Sequence, residues 1–246
     1  MITITKSPAH LAAAAATFCA SFINETVNRR GRCAVLLAGG STPQALYEAL
    51  SRVPYADNLP WPQVVVAFGD ERLVPLDDAR SNQGMAFRAL LDAVPVRPEL
   101  VLTADTTLPP PEAAAAYEKR LRTFFELKDG EVPEFDLVLL GLGTDGHTAS
   151  LFPGMAAVEE AARLVVSSPA PDPAGPARIT VTLPVLNAAR TVMYLVQGAD
   201  KAPTLRRVMA PVEAGTAALP AQLVQPTGAG AQLVWFIDEA AAKELR

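Results

Sequence analysis

Cysteine and histidine are scarce in this sequence, with two of each among 246 residues. Cys19 and Cys33 lack the Cys-x-x-Cys spacing of metal and redox sites, so we predict two free thiols, one on a helix and one leading into a strand. His10 and His147 lie in different parts of the chain, and no cysteine pair accompanies either of them. The acidic pair Asp77-Asp78 is typical of a solvated turn. We therefore expect no metal site.

Excess positive charge and long apolar runs are also absent. Lys and Arg total 21 against 26 Asp and Glu, which gives a net charge of −5 and no basic field to hold a nucleic-acid backbone. Half of the residues are hydrophobic, yet no apolar run approaches the ~20 residues of a membrane span. Met1–Ala9 carries too little positive charge for a secretory signal. We therefore expect a cytoplasmic protein, a monomer or weak homo-oligomer, that binds neither nucleic acid nor membranes.

Short apolar runs rich in Val, Leu and Ile alternate with longer segments of helical character. The runs predicted as strands are Cys33–Ala38, Val64–Phe68, Leu100–Thr103, Phe135–Leu140, Leu164–Ser167, Ile179–Leu183, Thr191–Gln197 and Gln232–Ile237. The segments predicted as helices are Pro8–Arg30, Pro43–Arg52, Ser81–Ala93, Pro111–Phe125, Asp200–Met209 and Asp238–Leu245. This alternation indicates an α/β fold with a mostly parallel sheet and helices on both faces. Because the composition is the same on both sides of the proline-rich loop Pro169–Pro176, we predict a single domain over residues 1–246.

In an open parallel sheet, ligands bind beyond the carboxyl ends of the strands. The first such motif is Gly39-Gly40-Ser41-Thr42-Pro43. Two glycines let the backbone turn sharply, and Ser41 or Thr42 can cap a helix with Pro43 at its first position. The free N–H groups at such a helix end favour a phosphate, whatever the net charge of the chain. The alternative is an ordinary strand-to-helix turn.

Charged side chains follow two other predicted strands. In Gly69-Asp70-Glu71-Arg72, a carboxylate can orient a water or a histidine, and the arginine can hold an anion with several donors. The alternative is a solvated turn with a local ion pair. If Asp200 caps the next helix along, Lys201 lies in its first turn, where an anionic ligand would offset an unfavourable dipole interaction; the alternative is a solvated surface lysine. Position alone assigns no role to Arg178.

The segment Phe135–His147 is the most informative one. Its Gly141-Leu-Gly-Thr-Asp-Gly146 matches the dinucleotide fingerprint G-x-G-x-x-G, but the next apolar run, Leu164–Val166, does not end in an acidic residue. We therefore expect no nicotinamide or flavin cofactor. His147 lies at the expected ligand edge, beside Asp145 and near a predicted helix N-terminus, which would keep its ring neutral and able to act as a general base. The alternative is a histidine that caps the turn.

Six segments of the chain carry a family resemblance. They are Leu37–Pro43, Phe68–Arg72 with Val74-Pro75, Ser81-Asn82 with Met85, Gly141–Gly154, Arg178–Thr182 and Gly198–Lys201. In this order they resemble the 6-phosphogluconolactonase family, within the glucosamine-6-phosphate isomerase/deaminase superfamily. Each segment alone is modest evidence, whereas the ordered set is specific. One small departure is Ala67-Phe68, where the family often has a Phe-Trp pair.

The resemblance implies a Rossmann-like parallel sheet and hydrolysis of 6-phosphoglucono-δ-lactone to 6-phosphogluconate in the oxidative pentose phosphate pathway. It places five residues around the substrate phosphate, namely Gly40, Ser41, Thr42, Arg178 and Lys201. It places three around the lactone, namely Asp70, Arg72 and His147. In the mechanism we expect, His147 takes a proton from water, and Arg72 or nearby backbone N–H groups stabilise the oxyanion. Asp70 would orient the water or the sugar hydroxyls, and no cofactor would take part.

Two other functions stay open at this point. One is a glucosamine-6-phosphate deaminase, but that branch has an acidic residue shortly after its histidine and an Asp-Glu-Tyr motif earlier in the chain. This chain has Ser150-Leu-Phe-Pro153 in the first place and Asp70-Glu71-Arg72 in the second. The other is a non-catalytic sugar-phosphate sensor, a class that usually carries an added DNA-binding segment; this chain shows none.

Overall fold

The structure is a computed structural model that describes residues 1–212 and 215–245. Within these ranges the ten strands are β1 (Ile2–Thr5), β2 (Cys33–Leu37), β3 (Val64–Phe68), β4 (Asp70–Arg72), β5 (Val101–Leu102), β6 (Leu137–Gly141), β7 (Val165–Ser168), β8 (Arg178–Val181), β9 (Thr191–Val196) and β10 (Gln232–Asp238). The eight α-helices in the same ranges are α1 (Pro8–Arg30), α2 (Ser41–Leu50), α3 (Tyr55–Asn58), α4 (Asn82–Ala89), α5 (Pro110–Phe124), α6 (Leu183–Asn187), α7 (Ala202–Met209) and α8 (Pro220–Leu223). Every apolar run predicted as a strand overlaps one of these strands, because Val, Ile and Leu pack well on both faces of a buried sheet.

Seven strands form one parallel sheet in the order β1-β10-β9-β6-β2-β3-β5. Successive side chains of a strand point to opposite faces, so each central strand contributes to two cores. In β2, Ala34 and Leu36 pack in the core beneath α5, α6, α7 and α8. Val35 and Leu37 pack in the core beneath α1, α2 and α4. The predicted α/β fold, with helices on both faces of a mostly parallel sheet, is confirmed.

Three short strands form a separate antiparallel sheet in the order β4-β8-β7. The runs Leu164–Ser167 and Ile179–Leu183 form β7 and β8 of this sheet and take no part in the parallel one. An apolar run indicates a strand, but it does not indicate the sheet that the strand joins. The loop Pro169–Pro176 connects β7 directly to β8, which lets the two strands pair as antiparallel neighbours. The charged segment Asp70–Arg72, for which a solvated turn was the alternative interpretation, forms the third strand.

Both ends of the chain differ from the prediction. The helix predicted over Asp238–Leu245 is wrong, because β10 continues to Asp238 and only a 3-10 turn, Ala241–Glu244, follows it. The buried Asp238 carboxylate accepts N–H bonds from Gly198 at 3.1 Å and from Ala241 at 2.8 Å, which holds the end of the strand in place. At the other end, β1 was missed because its four residues alternate between exposed and half-buried positions and form no apolar run.

The 23-residue α1 packs against the sheet and places two of the scarce residues. Its cap residue Ser7 accepts the N–H of His10, and Gly31, with a φ of 77°, ends it. His10 is therefore an exposed first-turn residue. Cys19 lies on α1 and Cys33 begins β2, and both thiols are free, as predicted. Both are also buried, and burial raises the pKa of Cys19 to about 12. No helix in residues 1–212 and 215–245 has the length and apolar character needed to cross a membrane.

Candidate active site

A cleft opens at the carboxyl ends of β2, β6 and β9, where the order of the strands reverses. The chain runs from β2 outward to β3 and β5 and then returns to β6 on the other side of β2. Such a switch point leaves a crevice between the loops that follow the strands. The cleft has a volume of about 230 Å³. All eight residues that the resemblance placed around the substrate line it, namely Gly40, Ser41, Thr42, Asp70, Arg72, His147, Arg178 and Lys201.

Gly39 and Gly40 form the turn between β2 and α2. Gly40 has a φ of 98°, a conformation that favours glycine, and a Cβ on Gly39 would lie 1.9 Å from the Oδ1 of Asn82. The prediction that Ser41 or Thr42 caps the helix is wrong, because Gly40 is the cap residue and no side chain makes a capping bond. The first N–H groups of α2 therefore have no acceptor within the helix, and they lie beside the cleft. This arrangement suits an anionic ligand.

Two arginines reach the cleft from adjacent strands of the small sheet, since Arg72 of β4 pairs with Arg178 of β8. Arg72 donates from Nη1 to the carbonyl of Arg80 at 2.6 Å, and the Arg178 guanidinium lies 5.4 Å from the ring centre of Phe152. The Nε atoms of both arginines are buried and have no hydrogen-bond partner in the described part of the chain. Burial and the charge of Arg72 lower the pKa of Arg178. An anion bound beside the two guanidinium groups would relieve their repulsion.

Lys201 brings a third cation from a different element. It ends a 3-10 turn and is the cap residue of α7, so the condition considered from the sequence, a cap at Asp200, is not met. The Asp200 carboxylate instead lies 3.4 Å from the Lys201 ammonium, and its side chain is 64% exposed against 25% for that of Lys201. An exposed ion pair of this kind is weak. The ammonium therefore remains available to a ligand in the cleft.

Asp70 is buried, and both of its carboxylate oxygens accept hydrogen bonds from the protein. Its Oδ2 accepts from the Ser150 hydroxyl at 2.6 Å, and its Oδ1 accepts from the Asn82 amide at 3.1 Å. The same amide donates to the Asp70 carbonyl at 3.0 Å. Asp70 thus lines the cleft in a fixed orientation, and Asn82 and Ser150 are the residues that fix it.

Glu71, the neighbour of Asp70, points away from the cleft and holds the start of α4. Its carboxylate accepts the N–H groups of Arg72, Asn82 and Gln83 at 2.6 to 2.8 Å and the hydroxyl of Ser81 at 3.1 Å. Burial raises the pKa of Glu71, an effect that the three N–H donors oppose. This carboxylate supports the site by positioning Asn82, and its role is structural.

His147 follows β6 in an irregular loop, which we define as residues 142–147 and call the His147 loop. No helix begins at His147, so the helix N-terminus expected beside it is absent from its own segment. The ring instead contacts a carboxylate, with Nδ1 at 2.6 Å from the Oδ1 of Asp145, which also accepts the His147 N–H at 3.0 Å. Burial acts to raise the pKa of Asp145, but the His147 N–H and imidazole outweigh it and the pKa lies below its usual value. With Nδ1 engaged, Nε2 is the nitrogen left to exchange a proton.

Two glycines of the G-x-G-x-x-G match shape the loop that carries the histidine. A Cβ on Gly143 would lie 2.1 Å from the Nδ1 of His147, so only glycine leaves room for the ring. Gly146 has a φ of 89°, and a Cβ there would lie 2.8 Å from the side chain of Leu219. Both positions therefore require glycine for the shape of the His147 loop. In residues 1–212 and 215–245, no three His, Cys, Asp or Glu side chains are grouped so as to hold a metal ion.

Comparison with known proteins shows the family of the chain. The sequence profile of the family described as "Glucosamine-6-phosphate isomerases/6-phosphogluconolactonase" matches residues 6–235. The chain belongs to this family. It is 42% identical to the 6-phosphogluconolactonase of Synechocystis sp. over 91% of this chain and 89% of that protein, and 41% identical to that of Rattus norvegicus over 100% and 93%. The solved structure of 6-phosphogluconolactonase from Trypanosoma cruzi superposes with a TM-score of 0.86 at 31% identity, covering 99% of this chain and 96% of that one.

In this member of the glucosamine-6-phosphate isomerase/6-phosphogluconolactonase family, the residue types of the sequence did not reveal every side chain of the cleft. Asn82, Asp145 and Phe152 lie inside segments that carry the resemblance, yet their roles follow only from their contacts. The Phe152 ring packs 4.5 Å from that of His147 and beneath Arg178. Gln197 also lines the cleft, and its Oε1 is buried without a hydrogen-bond partner among the described residues. No local sequence signal marks Gln197, since a glutamine at a strand end is unremarkable on its own.

Proposed function

We propose that this protein hydrolyses 6-phosphoglucono-δ-lactone to 6-phosphogluconate, the lactonase step of the oxidative pentose phosphate pathway. In this proposal residues 1–246 form one catalytic domain that needs no cofactor. The observation that carries the proposal is the meeting, in one cleft, of an imidazole held by a carboxylate and a group of three cations beside a helix N-terminus. The substrate has the matching features, a reactive lactone at one end and a phosphate at the other.

The phosphate end of the substrate would lie at the Gly40–Thr42 turn. The first N–H groups of α2, the Ser41 and Thr42 hydroxyls, the Arg178 guanidinium and the Lys201 ammonium are the donors available there. Charge-assisted hydrogen bonds to a phosphate are about twice as strong as neutral ones. The unpartnered Nε of Arg178 and the weak partner of Lys201 support this assignment.

The lactone end would lie beside His147 and Arg72. In this mechanism the Nε2 of His147 takes a proton from a water molecule, and the oxygen of that water attacks the lactone carbonyl carbon. The carbonyl oxygen becomes an oxyanion that Arg72 or a backbone N–H stabilises. As the carbonyl re-forms, the bond to the ring oxygen breaks, and the imidazolium returns its proton to that oxygen. The Asp145 carboxylate stabilises the imidazolium between the two transfers, and Asp70 orients the sugar hydroxyls or the water.

The deaminase alternative fits the cleft less well. After His147, the buried side chains are those of Thr148 and Ser150, which carry hydroxyls, and the apolar Leu151 and Phe152; the Ser150 hydroxyl donates to Asp70. This segment contains no carboxylate that could assist a ring-opening histidine. The acid in contact with His147 is Asp145, which precedes the histidine and binds the nitrogen opposite the proposed reacting one.

The test measures lactone consumption above the spontaneous hydrolysis rate for wild type, His147→Ala and His10→Ala. We expect the His147 variant to lose about 10²–10⁴-fold in kcat, the usual contribution of a general base. His10→Ala is the matched control, because His10 lies in the exposed first turn of α1 and does not line the cleft. Equal rates for wild type and His147→Ala would refute the histidine role. Sugar-phosphate binding without turnover would favour a sensor, and ammonia released from glucosamine 6-phosphate would favour a deaminase.

A further inference from the structure

The His147 loop has no regular structure of its own, and elements from the C-terminal part of the chain hold it. The hydroxyl of Thr204 in α7 donates a hydrogen bond to the carbonyl of Thr144. The N–H of Ala221 in α8 donates to the carbonyl of Gly146 at 3.1 Å. The side chain of Leu219 packs against Gly146 closely enough to exclude a Cβ. The loop that carries the proposed base therefore takes its position from α7 and α8.

The helix α7 also carries the cation at the proposed phosphate end. Lys201 is the cap residue of α7, and Thr204 follows it by three positions, so the two lie on the same side of the helix about one turn apart. Thr204 is buried, as are its neighbours Ala202 and Leu205, which anchor the helix in the core. The Gln222 amide of α8 donates to the carbonyls of Arg207 and Ala210 at 3.0 and 3.1 Å. These contacts make α7 and α8 one support for the His147 loop.

We infer that Thr204 is a positioning residue that links the phosphate end of the substrate to the proposed general base. A phosphate bound to Lys201 immobilises the first turn of α7. Because the Thr204 hydroxyl is hydrogen-bonded to the Thr144 carbonyl, fixing α7 also fixes the loop that carries His147. Binding energy from a part of the substrate that does not react is used to orient the reacting groups. The kinetic part of this inference rests on the proposed function.

The kinetic test compares Thr204→Val, which keeps the shape but removes the hydroxyl, with Thr204→Ser, which keeps the donor. Thr182→Val is the matched control, because the Thr182 hydroxyl is also buried and donates to a backbone carbonyl, that of Arg163 at 2.8 Å, away from the cleft. We expect Thr204→Val to lower kcat for the phosphorylated lactone roughly tenfold, since small misplacements of a catalytic group have large effects. KM should change less than kcat, Thr204→Ser should restore most of the rate, and Thr182→Val should keep the wild-type kcat.

A second substrate separates coupling from simple support of the loop. Glucono-δ-lactone has no phosphate to bind Lys201, so the Thr204 hydrogen bond cannot transmit phosphate binding to the His147 loop. With this substrate, Thr204→Val should therefore change the rate by less than about twofold. Removing the phosphate and removing the hydroxyl interrupt the same link, and their effects should not add. An equal loss of rate on both lactones would overturn the inference, because Thr204 would then support the loop whether or not a phosphate is bound.

A spectroscopic test needs no turnover, so it distinguishes failure of this inference from failure of the proposed function. The chain has two histidines, and their ring resonances can be followed by NMR while inorganic phosphate is added, a ligand that fits the phosphate end of the cleft and lacks the sugar acid that would contact His147. We expect the His147 resonance of the wild type to shift, that of Thr204→Val to shift much less, and that of His10 to stay constant as an internal control. A His147 response in Thr204→Val equal to that of the wild type would overturn the inference.

Discussion

At the scale of single residues, three neighbours hold the ring of His147 in different ways. The Oδ1 of Asp145 lies 2.6 Å from its Nδ1, and the centre of the Phe152 ring lies 4.5 Å from the centre of the imidazole. Gly143, which has no side chain, leaves the space that the imidazole occupies. A carboxylate in this position selects the tautomer with the proton on Nδ1 and stabilises the imidazolium formed during the reaction. The ring is therefore oriented before any substrate arrives.

Replacement of Asp145 by Asn tests this orientation. The amide oxygen can still accept the His147 N–H, but the amide carries no charge to stabilise an imidazolium. We expect kcat to fall by up to about 10⁴-fold with a smaller change in KM, as happens when the carboxylate that orients a catalytic histidine is replaced by an amide. Asp77→Asn is a control, since Asp77 is exposed and does not line the cleft. A kcat equal to that of the wild type for Asp145→Asn would show that the carboxylate has no part in catalysis.

Asp70 shows how far residue type can predict a site. The sequence predicted a carboxylate at the ligand edge, and the structure has one there. Its hydrogen bonds to Ser150 and Asn82 join three separate segments of chain. The spacing of Asp70 along the sequence contains no information about these partners, because they depend on how the segments pack.

At the scale of elements, β4 is the segment that brings charged residues to the cleft. Alternate residues of a strand face opposite sides, so Asp70 and Arg72 face the cleft while Glu71 faces the start of α4. One short strand therefore supplies two side chains to the proposed site and one to the frame that supports it. The sequence motif alone did not separate these roles, since all three residues are charged.

Glu71→Gln should destabilise the fold, because the Glu71 carboxylate holds the start of α4. The Glu71 carboxylate accepts hydrogen bonds from N–H and hydroxyl groups on both of its oxygens. An amide NH₂ group in place of one oxygen cannot accept a hydrogen bond, so the buried donors that face it would lose their partner. The expected loss is about 1–3 kcal/mol in the free energy of unfolding, measured by urea denaturation. Glu112→Gln is the control, because Glu112 is an exposed acid in the first turn of α5. Equal stability of Glu71→Gln and wild type would show that this carboxylate does not hold α4.

At the scale of the whole molecule, the cleft joins segments from distant parts of the chain. The Gly40–Thr42 turn follows β2, Arg72 and Arg178 come from the small antiparallel sheet, and Lys201 begins α7. A phosphorylated ligand bound there contacts each of these segments in the native state and few of them in the unfolded chain. Ligand binding should therefore stabilise the protein as a unit.

This expectation can be checked by thermal unfolding in the presence of 6-phosphogluconate. At a concentration of about 100 times Kd, a ligand stabilises the native state by roughly 2.7 kcal/mol, which corresponds to about 5–10 °C in Tm for a protein of this size. Gluconate, which lacks the phosphate, should give a much smaller shift at the same concentration. Because the contacts are ionic, salt near 1 M should reduce the shift. Equal shifts with gluconate and 6-phosphogluconate would contradict a phosphate-binding role for the cations.

The sequence by itself determined the local structure and the chemical inventory of this protein. Apolar runs of Val, Leu and Ile specify strands such as β2 and β9, because these side chains must be buried on both faces of a sheet. The glycines before α2 and around His147 specify turns that other residues cannot adopt. The ordered motifs were also sufficient to indicate the family, since they combine these turns with the charged residues of the strand ends.

Only the tertiary structure decided which sheet β7 and β8 join, that Arg72 lies beside Arg178, and that Thr204 bonds to the His147 loop. It also replaced the predicted helix N-terminus at His147 with the Asp145 carboxylate. The physical reason is the same in each case. Local patterns report how a residue meets its neighbours along the chain, whereas these contacts depend on the packing of elements that are distant in sequence, and the free energy of that packing belongs to the assembled fold.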